Sequence, residues 1–139
     1  MEITANAIQT VPAASNVLFT DTIASGNYSI LHREGSGLVT LRGLTDQCRA
    51  RFRVSFGGNI AIPTGGTVDP ISLAIAINGE AVATTTMIST PAAVEEYNNV
   101  FSAIFLDIPR GCCSQISVKN IGTQAINVQN ANLIIERVA

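Results

Sequence analysis

Residues 48–56 read CRARFRVSF, and this stretch alternates strictly between two kinds of side chain. Apolar or small side chains form one set: Cys48, Ala50, Phe52, Val54 and Phe56. The other set is Arg49, Arg51, Arg53 and Ser55. Because successive side chains of a β-strand point to opposite faces, this period of two predicts a half-buried strand with an arginine stripe on its outer side.

A second decisive stretch is ISLAIAI, residues 71–77, which meets Asn78-Gly79. Asn-Gly between two apolar runs favours a type I′ turn, because both central residues of that turn must adopt positive φ. We therefore predict a two-residue hairpin whose return strand covers approximately residues 81–88.

Short apolar runs separated by glycine, proline and asparagine continue along the chain. They cover residues 17–20, 28–32, 38–42, 59–62, 100–108, 114–120 and 127–138, the last as one long strand or two short ones. One side of the run 100–108 carries Phe101, Ala103, Phe105 and Asp107. About eight to ten strands without a convincing helix predict an all-β sandwich or barrel.

Some segments interrupt this pattern. Residues 1–15 have no clean period and are predicted to form an N-terminal arm, so that the sandwich covers residues 16–139. Gly57-Gly58 predicts a bulge or a tight bend. Residues 90–96 form either one helical turn, capped by Thr90, or a plain loop.

The composition is poor in charge and rich in branched aliphatic side chains. Of 139 residues, 47% are hydrophobic and 13% charged, with a formal net charge of −2. The 28 Ile and Val residues against 8 Leu favour strands. A surface of small polar residues and alanine can be covered by a partner at low desolvation cost, so we expect an oligomer. The acidic balance argues against a nucleic-acid partner.

We predict no segment that targets or spans a membrane. No apolar run approaches the ~18 residues that a spanning helix requires. Residues 1–6 lack the basic and apolar regions of a secretory signal. We therefore expect the protein to remain where it is made or to leave by another route, such as cell lysis.

The stretch ISLAIAINGE, residues 71–80, resembles the strand, Asn-Gly turn and return strand of C1q/TNF-like jelly rolls. The later order of apolar strand, Pro109-Arg110-Gly111, polar strand and terminal strand over residues 131–135 resembles the closing strands of that fold. The resemblance implies a C1q/TNF-like jelly-roll β-sandwich that assembles as a homotrimer.

Further stretches are similar to small proteins encoded by tailed bacteriophages and prophages of Firmicutes. They are NVLFTD (residues 16–21), PTGGTV (63–68), TPAAVEEY (90–97) and QNAN (129–132). This similarity implies a virion structural protein, made in the bacterial host cytoplasm, that decorates the capsid and binds the major capsid protein or another virion protein. The alternative is a receptor- or glycan-binding head domain of a tail fibre or cell-surface adhesin.

The arginine stripe is the most informative cluster of charged residues. Its guanidinium groups span about 13 Å along the strand, and their planar forks suit carboxylates. Three interpretations are open. The stripe is a solvated or salt-bridged outer face, with Asp46, Asp107 or Glu136 as candidate partners; it is a contact with a neighbouring subunit or an acidic capsid surface; or it is a carbohydrate site. The predicted subunit or capsid contacts are Arg49, Arg51, Arg53, Ile3, Ile8 and Val11.

No arrangement of residues predicts catalysis, a cofactor or a metal. His32 is the only histidine, and no Gly-x-Ser-x-Gly motif accompanies it. We expect a neutral histidine at a strand end; in a trimer, three copies could instead meet around an ion. Cys48, Cys112 and Cys113 are expected to be mostly reduced and buried, with a disulfide or a metal site as alternatives. The loop carboxylates Asp21, Asp69, Glu95 and Glu96 match no calcium loop.

Overall fold

The computed structural model describes residues 1–26 and 28–139. These residues form twelve strands and one 3-10 turn, Ala83–Thr85. In chain order the strands are β1 (Glu2–Ala5), β2 (Gln9–Val11), β3 (Asp21–Ala24), β4 (Ile30–His32), β5 (Val39–Arg42), β6 (Arg49–Ala61), β7 (Ile71–Ile77), β8 (Glu80–Ala81), β9 (Met87–Ser89), β10 (Asn98–Pro109), β11 (Cys113–Asn120) and β12 (Ile126–Arg137). Within the described residues, no helix has the length and apolar character needed to cross a membrane.

The strands form two antiparallel sheets. The first sheet has the order β10-β6-β12-β1-β3, with β2 also paired to β12. The second has the order β4-β5-β11-β7-β8, with β9 also paired to β7. The predicted all-β sandwich is confirmed, and the stretch over residues 127–138 is one long strand.

One apolar core lies between the two sheets. The predicted inward face of β6 is buried: Ala50, Phe52, Val54 and Phe56 have no exposed surface. Leu73 and Ile75 of β7 line the same core from the second sheet. The ring of Phe19 meets that of Phe56 edge to face, with centroids 6.3 Å apart. The chain exposes 6916 Å², close to the ~6,900 Å² of a compact protein of this mass.

The predicted N-terminal arm is wrong, because residues 1–15 belong to the sandwich. β1 pairs with both β12 and β3, and β2 pairs with β12. Ile3 is fully buried and Val11 is 2% exposed. These strands were not predicted because each is only three or four residues long, which is too short to show an alternating pattern.

The predicted Asn-Gly hairpin is confirmed. Asn78 has φ 52° and Gly79 has φ 86°, and β7 pairs with β8 directly across them. The predicted return strand is interrupted by the 3-10 turn before β9 pairs again with β7. The interruption is possible because the buried Thr85 hydroxyl accepts a hydrogen bond from the Ile75 backbone N–H, in place of a strand carbonyl.

Gly57-Gly58 forms no bulge, because β6 continues through both residues in regular register with β10. The irregularity lies in β12, between Gln129 and Asn132, where Asn130 has φ 55°. Gly58 allows close packing instead: a Cβ there would lie 3.2 Å from the Phe56 ring.

Residues 90–96 form a plain loop and not the helical turn that the sequence also allowed. Glu95 in this loop has φ 59°. Its backbone N–H donates to the Ile62 carbonyl, and its carboxylate accepts a hydrogen bond from the Thr64 hydroxyl at 2.6 Å. These contacts hold the loop at the end of the first sheet.

Replacing Ala14 with glycine is expected to stabilise the protein. Ala14 is exposed and has φ 63°, a left-handed conformation that costs a residue with a Cβ about 1–2 kcal/mol. Glycine removes this cost but adds about 0.4–1 kcal/mol of unfolded-state entropy. We therefore expect urea unfolding to show a gain of about 0.5–1 kcal/mol, whereas Ala13→Gly, without positive φ, loses stability. A loss in Ala14→Gly would contradict the prediction.

Candidate functional site

The outer face of the first sheet carries the most distinctive set of side chains, all of them exposed or half-buried except Ser55 and Thr4, which their neighbours cover. It comprises Phe101, Ala103, Phe105 and Asp107 of β10, Arg49, Arg51, Arg53, Ser55 and Gly57 of β6, Asn132, Ile134 and Glu136 of β12, and Glu2 and Thr4 of β1. The strand register places these side chains together, because residues directly opposite each other in a sheet point to the same side.

One part of this face is apolar. Phe101 is 64% exposed and Phe105 is 63% exposed, although phenyl groups are normally covered. Phe101 lies opposite Gly57, and its ring passes within 3.7 Å of the position that a Cβ on Gly57 would occupy. Ala103 and Ile134 are also exposed. Because the neighbouring residues Ser55, Gly57 and Ala103 are small, the two phenyl rings protrude from the sheet.

The other part of the face is a set of ion pairs. Asp107 lies opposite Arg51 and accepts hydrogen bonds from its Nε at 2.8 Å and its Nη2 at 3.1 Å. The Arg49 Nε lies 3.3 Å from the same carboxylate. Arg53 lies opposite Glu136, with 3.5 Å between Nη1 and Oε1. One carboxylate is thus shared by two arginines, and another is paired with a third.

The paired charges shift each other's titration. The hydrogen bond from Arg51 lowers the pKa of Asp107; burial opposes this shift, and the positive charges of Arg51 and Arg49 lower the pKa further. The same hydrogen bond raises the pKa of Arg51. Asp107 therefore stays ionised to a lower pH than an ordinary aspartate.

Replacing Asp107 with asparagine is expected to weaken the fold at neutral pH only. The lowered pKa means that the ionised carboxylate stabilises the folded state above its ordinary pKa of about 3.9, and that this contribution is lost as the pH falls through the folded value. Urea unfolding of both proteins should therefore differ at neutral pH and converge in acid. Asp46→Asn is the control, since Asp46 has no ion pair among the described residues. A difference that persists in acid would contradict the assignment.

The structure separates the predicted contact residues into two groups. The arginine side chains of residues 49, 51 and 53 are 59%, 40% and 52% exposed and lie on one face, with Asp107 and Glu136 as partners and without Asp46. The prediction that Ile3 and Val11 contact a subunit or the capsid is wrong, because both side chains are buried in the core of their own chain. Ile8, between β1 and β2, is 55% exposed.

Phe101 and Phe105 were not predicted as site residues. The signal for them was present, because the run over residues 100–108 has apolar side chains on both faces. A strand of a two-layer sandwich faces the core on one side only, so apolar side chains on its other side remain exposed in the single chain.

The histidine and the cysteines lie outside this face. His32 is on β4 of the second sheet, and its Nε2 lies 2.9 Å from the Ser36 carbonyl oxygen. The predicted burial of the cysteines is wrong, since Cys48, Cys112 and Cys113 are all exposed in turns or at strand ends. Among the described residues, no group of three or more His, Cys, Asp or Glu side chains is arranged to hold a metal ion.

Solved structures with a similar fold include proteins of the C1q and TNF type. The chain superimposes on the globular domain of zebrafish complement 1qA protein with a TM-score of 0.64, 9% identity and coverage of 96% of this chain and 93% of that one. It superimposes on the Eiger TNF of S. frugiperda with a TM-score of 0.68 and 13% identity, covering 100% of this chain and 92% of that one. It superimposes on murine APRIL with a TM-score of 0.62 and 10% identity, covering 97% of each chain.

These likenesses establish the fold class. The protein is a C1q/TNF-like jelly-roll β-sandwich, as the resemblance of its hairpin and closing strands predicted. No protein-family profile matches the sequence, and no curated protein matches it. At these low identities the likeness extends to the fold alone.

Proposed function

We propose that the protein is a non-catalytic structural protein that assembles as a homotrimer through the outer face of its first sheet. The observation that carries this proposal is the pair of exposed phenyl groups on β10, next to small residues and Ile134. An exposed apolar patch on a charge-poor protein is a mark of an interaction surface. Aromatic side chains in such patches contribute most of the binding free energy in many interfaces.

The chemistry of the face supports a second copy as its partner. Ser55, Gly57 and Ala103 have little side-chain entropy to lose, so they favour close contact between sheets. The arginines on the same face are already paired, which lowers the cost of covering them. Three copies arranged around a threefold axis would cover the apolar part of each face.

The place we propose for the trimer is the head of a phage particle, where it decorates the capsid. The support is the similarity of the stretches NVLFTD, PTGGTV, TPAAVEEY and QNAN to small proteins of Firmicutes phages and prophages. A charge-poor, strand-rich trimer suits a structural role that needs no active site. The major capsid protein or another virion protein is then the surface it binds, and the particle is its location.

Two measurements test this function. Sedimentation equilibrium at micromolar concentration should give the mass of a trimer, and a stable monomer would overturn the assembly. Immunogold labelling of particles should place the protein across the head. Labelling restricted to the tail tip would favour the adhesin alternative instead.

One observation favours that second candidate, a glycan- or receptor-binding domain. Tyr28 is 82% exposed beside a hollow of about 490 Å³ lined by Ser25, Gly26, Leu31 and His32. Exposed aromatic rings form the platforms on which sugars stack. Binding of the intact protein to an array of bacterial surface glycans would support this candidate, and loss of that binding in Tyr28→Ala would place the site.

A further inference from the structure

The outer face of the first sheet carries charge of opposite sign in its two halves, one formed by β6 and β10 and the other by β1 and β3. Towards β6 and β10, three arginine side chains face two carboxylates, Asp107 of β10 and Glu136 of the adjoining β12, because Arg49 and Arg51 share Asp107. Counted over side chains, this leaves one surplus positive charge at Arg49, which is more loosely held and more exposed than Arg51. Arg49 lies at the end of β6 in a shallow cleft that Gln47, Cys48 and Ala139 also line.

The β1 and β3 side of the same face is acidic. Glu2 lies opposite Ile134, and Asp21 lies opposite Thr4. Neither carboxylate has a cationic partner among the described residues. Glu2 is half-buried and oriented by Asn132, whose amide N–H donates to its Oε2. Asp21 is exposed on the edge strand, and among the described residues its side chain has one hydrogen-bond partner, the hydroxyl of its neighbour Thr20.

A charge left unpaired when this face is covered would cost more free energy than the assembly could easily offset. Contact of the arginine side with the arginine side of another copy would leave the surplus unpaired and add repulsion. A ring of identical subunits is built from heterologous contacts, in which two different patches of each subunit meet. The basic side of one copy can therefore meet the acidic side of the next.

We propose that Glu2 of one copy pairs with Arg49 of the neighbouring copy, and that this contact sets the direction of assembly. The inference rests on the proposed self-association through this face. Glu2 fits the role better than Asp21 because it is already oriented by Asn132 and borders the apolar centre at Ile134. Arg49 fits it better than Arg51, which holds Asp107 through two hydrogen bonds.

A charge swap tests this pairing. Arg49→Glu and Glu2→Arg should each weaken the association of subunits by about tenfold or more. The double variant should recover most of the wild-type association constant, because every interface then contains one reversed pair. Glu2→Gln provides a milder variant, since its amide oxygen can still accept the hydrogen bond from Asn132. Sedimentation equilibrium supplies the association constants, and thermal unfolding checks that each variant is folded.

Control variants away from this face, and a variant of the second carboxylate Asp21, separate a failure of the Glu2–Arg49 pairing from a general effect of charge. Arg33→Glu and Glu34→Arg change the charge equally in the exposed turn after β4, and should leave association unchanged. Recovery of Arg49→Glu by Asp21→Arg and not by Glu2→Arg would overturn the assignment of Glu2. An associated wild type without recovery in the double variant would overturn the pairing alone. A monomeric wild type would overturn the proposed function as well.

Discussion

Replacing Phe101 with serine is expected to convert the associated protein into monomers at micromolar concentration. The ring is 64% exposed in the single chain, so its loss removes little from the fold. In a covered face the same ring acts as an anchor, and its removal costs about 2 kcal/mol or more, which is roughly a 30-fold loss per contact. Sedimentation equilibrium of the variant and the wild type measures the difference.

A substitution on the opposite side of the sandwich provides the control. Ile88 on β9 is also 64% exposed, but it lies on the outer side of the second sheet. Ile88→Ser should therefore leave the mass in solution unchanged. Equal association of wild type and Phe101→Ser would show that the phenyl groups of β10 are not part of the interface.

Replacing Phe56 with alanine is expected to cost about 3–5 kcal/mol of unfolding free energy. Phe56 is fully buried at the centre of β6, and its ring meets Phe19 edge to face. The surrounding sheets cannot collapse into the space, because β6 is held on both sides by β10 and β12. Urea unfolding monitored by circular dichroism gives the value.

The matched variant at this position is Phe56→Leu, which keeps most of the apolar volume. Its loss should be clearly smaller than that of the alanine variant. A cost below about 1 kcal/mol for Phe56→Ala is the range of an ordinary surface change, and would show that the ring does not fill the core.

Much of the fold followed from local patterns. The burial of Ala50, Phe52, Val54 and Phe56 and the Asn78-Gly79 turn each depend on neighbouring residues alone, and both predictions are confirmed. The short strands β1 and β2 could not be predicted in the same way. Their place in the sheet depends on pairing with β12, more than one hundred residues away.

The candidate site was predicted only in part. The arginine stripe follows from alternation, and its carboxylate partners Asp107 and Glu136 were among those expected. The exposure of Phe101 was missed, because alternation assigns two faces to a strand but does not say which one is buried. Long-range packing decides that question, and it also decided against burial of Cys48.

The pairing of β1 with β12 has a consequence for biosynthesis. In the order of synthesis, β1 is made more than one hundred residues before β12, its neighbour in the sheet. Because contacts between distant parts of a chain form slowly, this part of the sheet can close only after β12 has been made. Glu2 and Ile134 come together only at that point, so the outer face of the first sheet is complete only once β12 is in place.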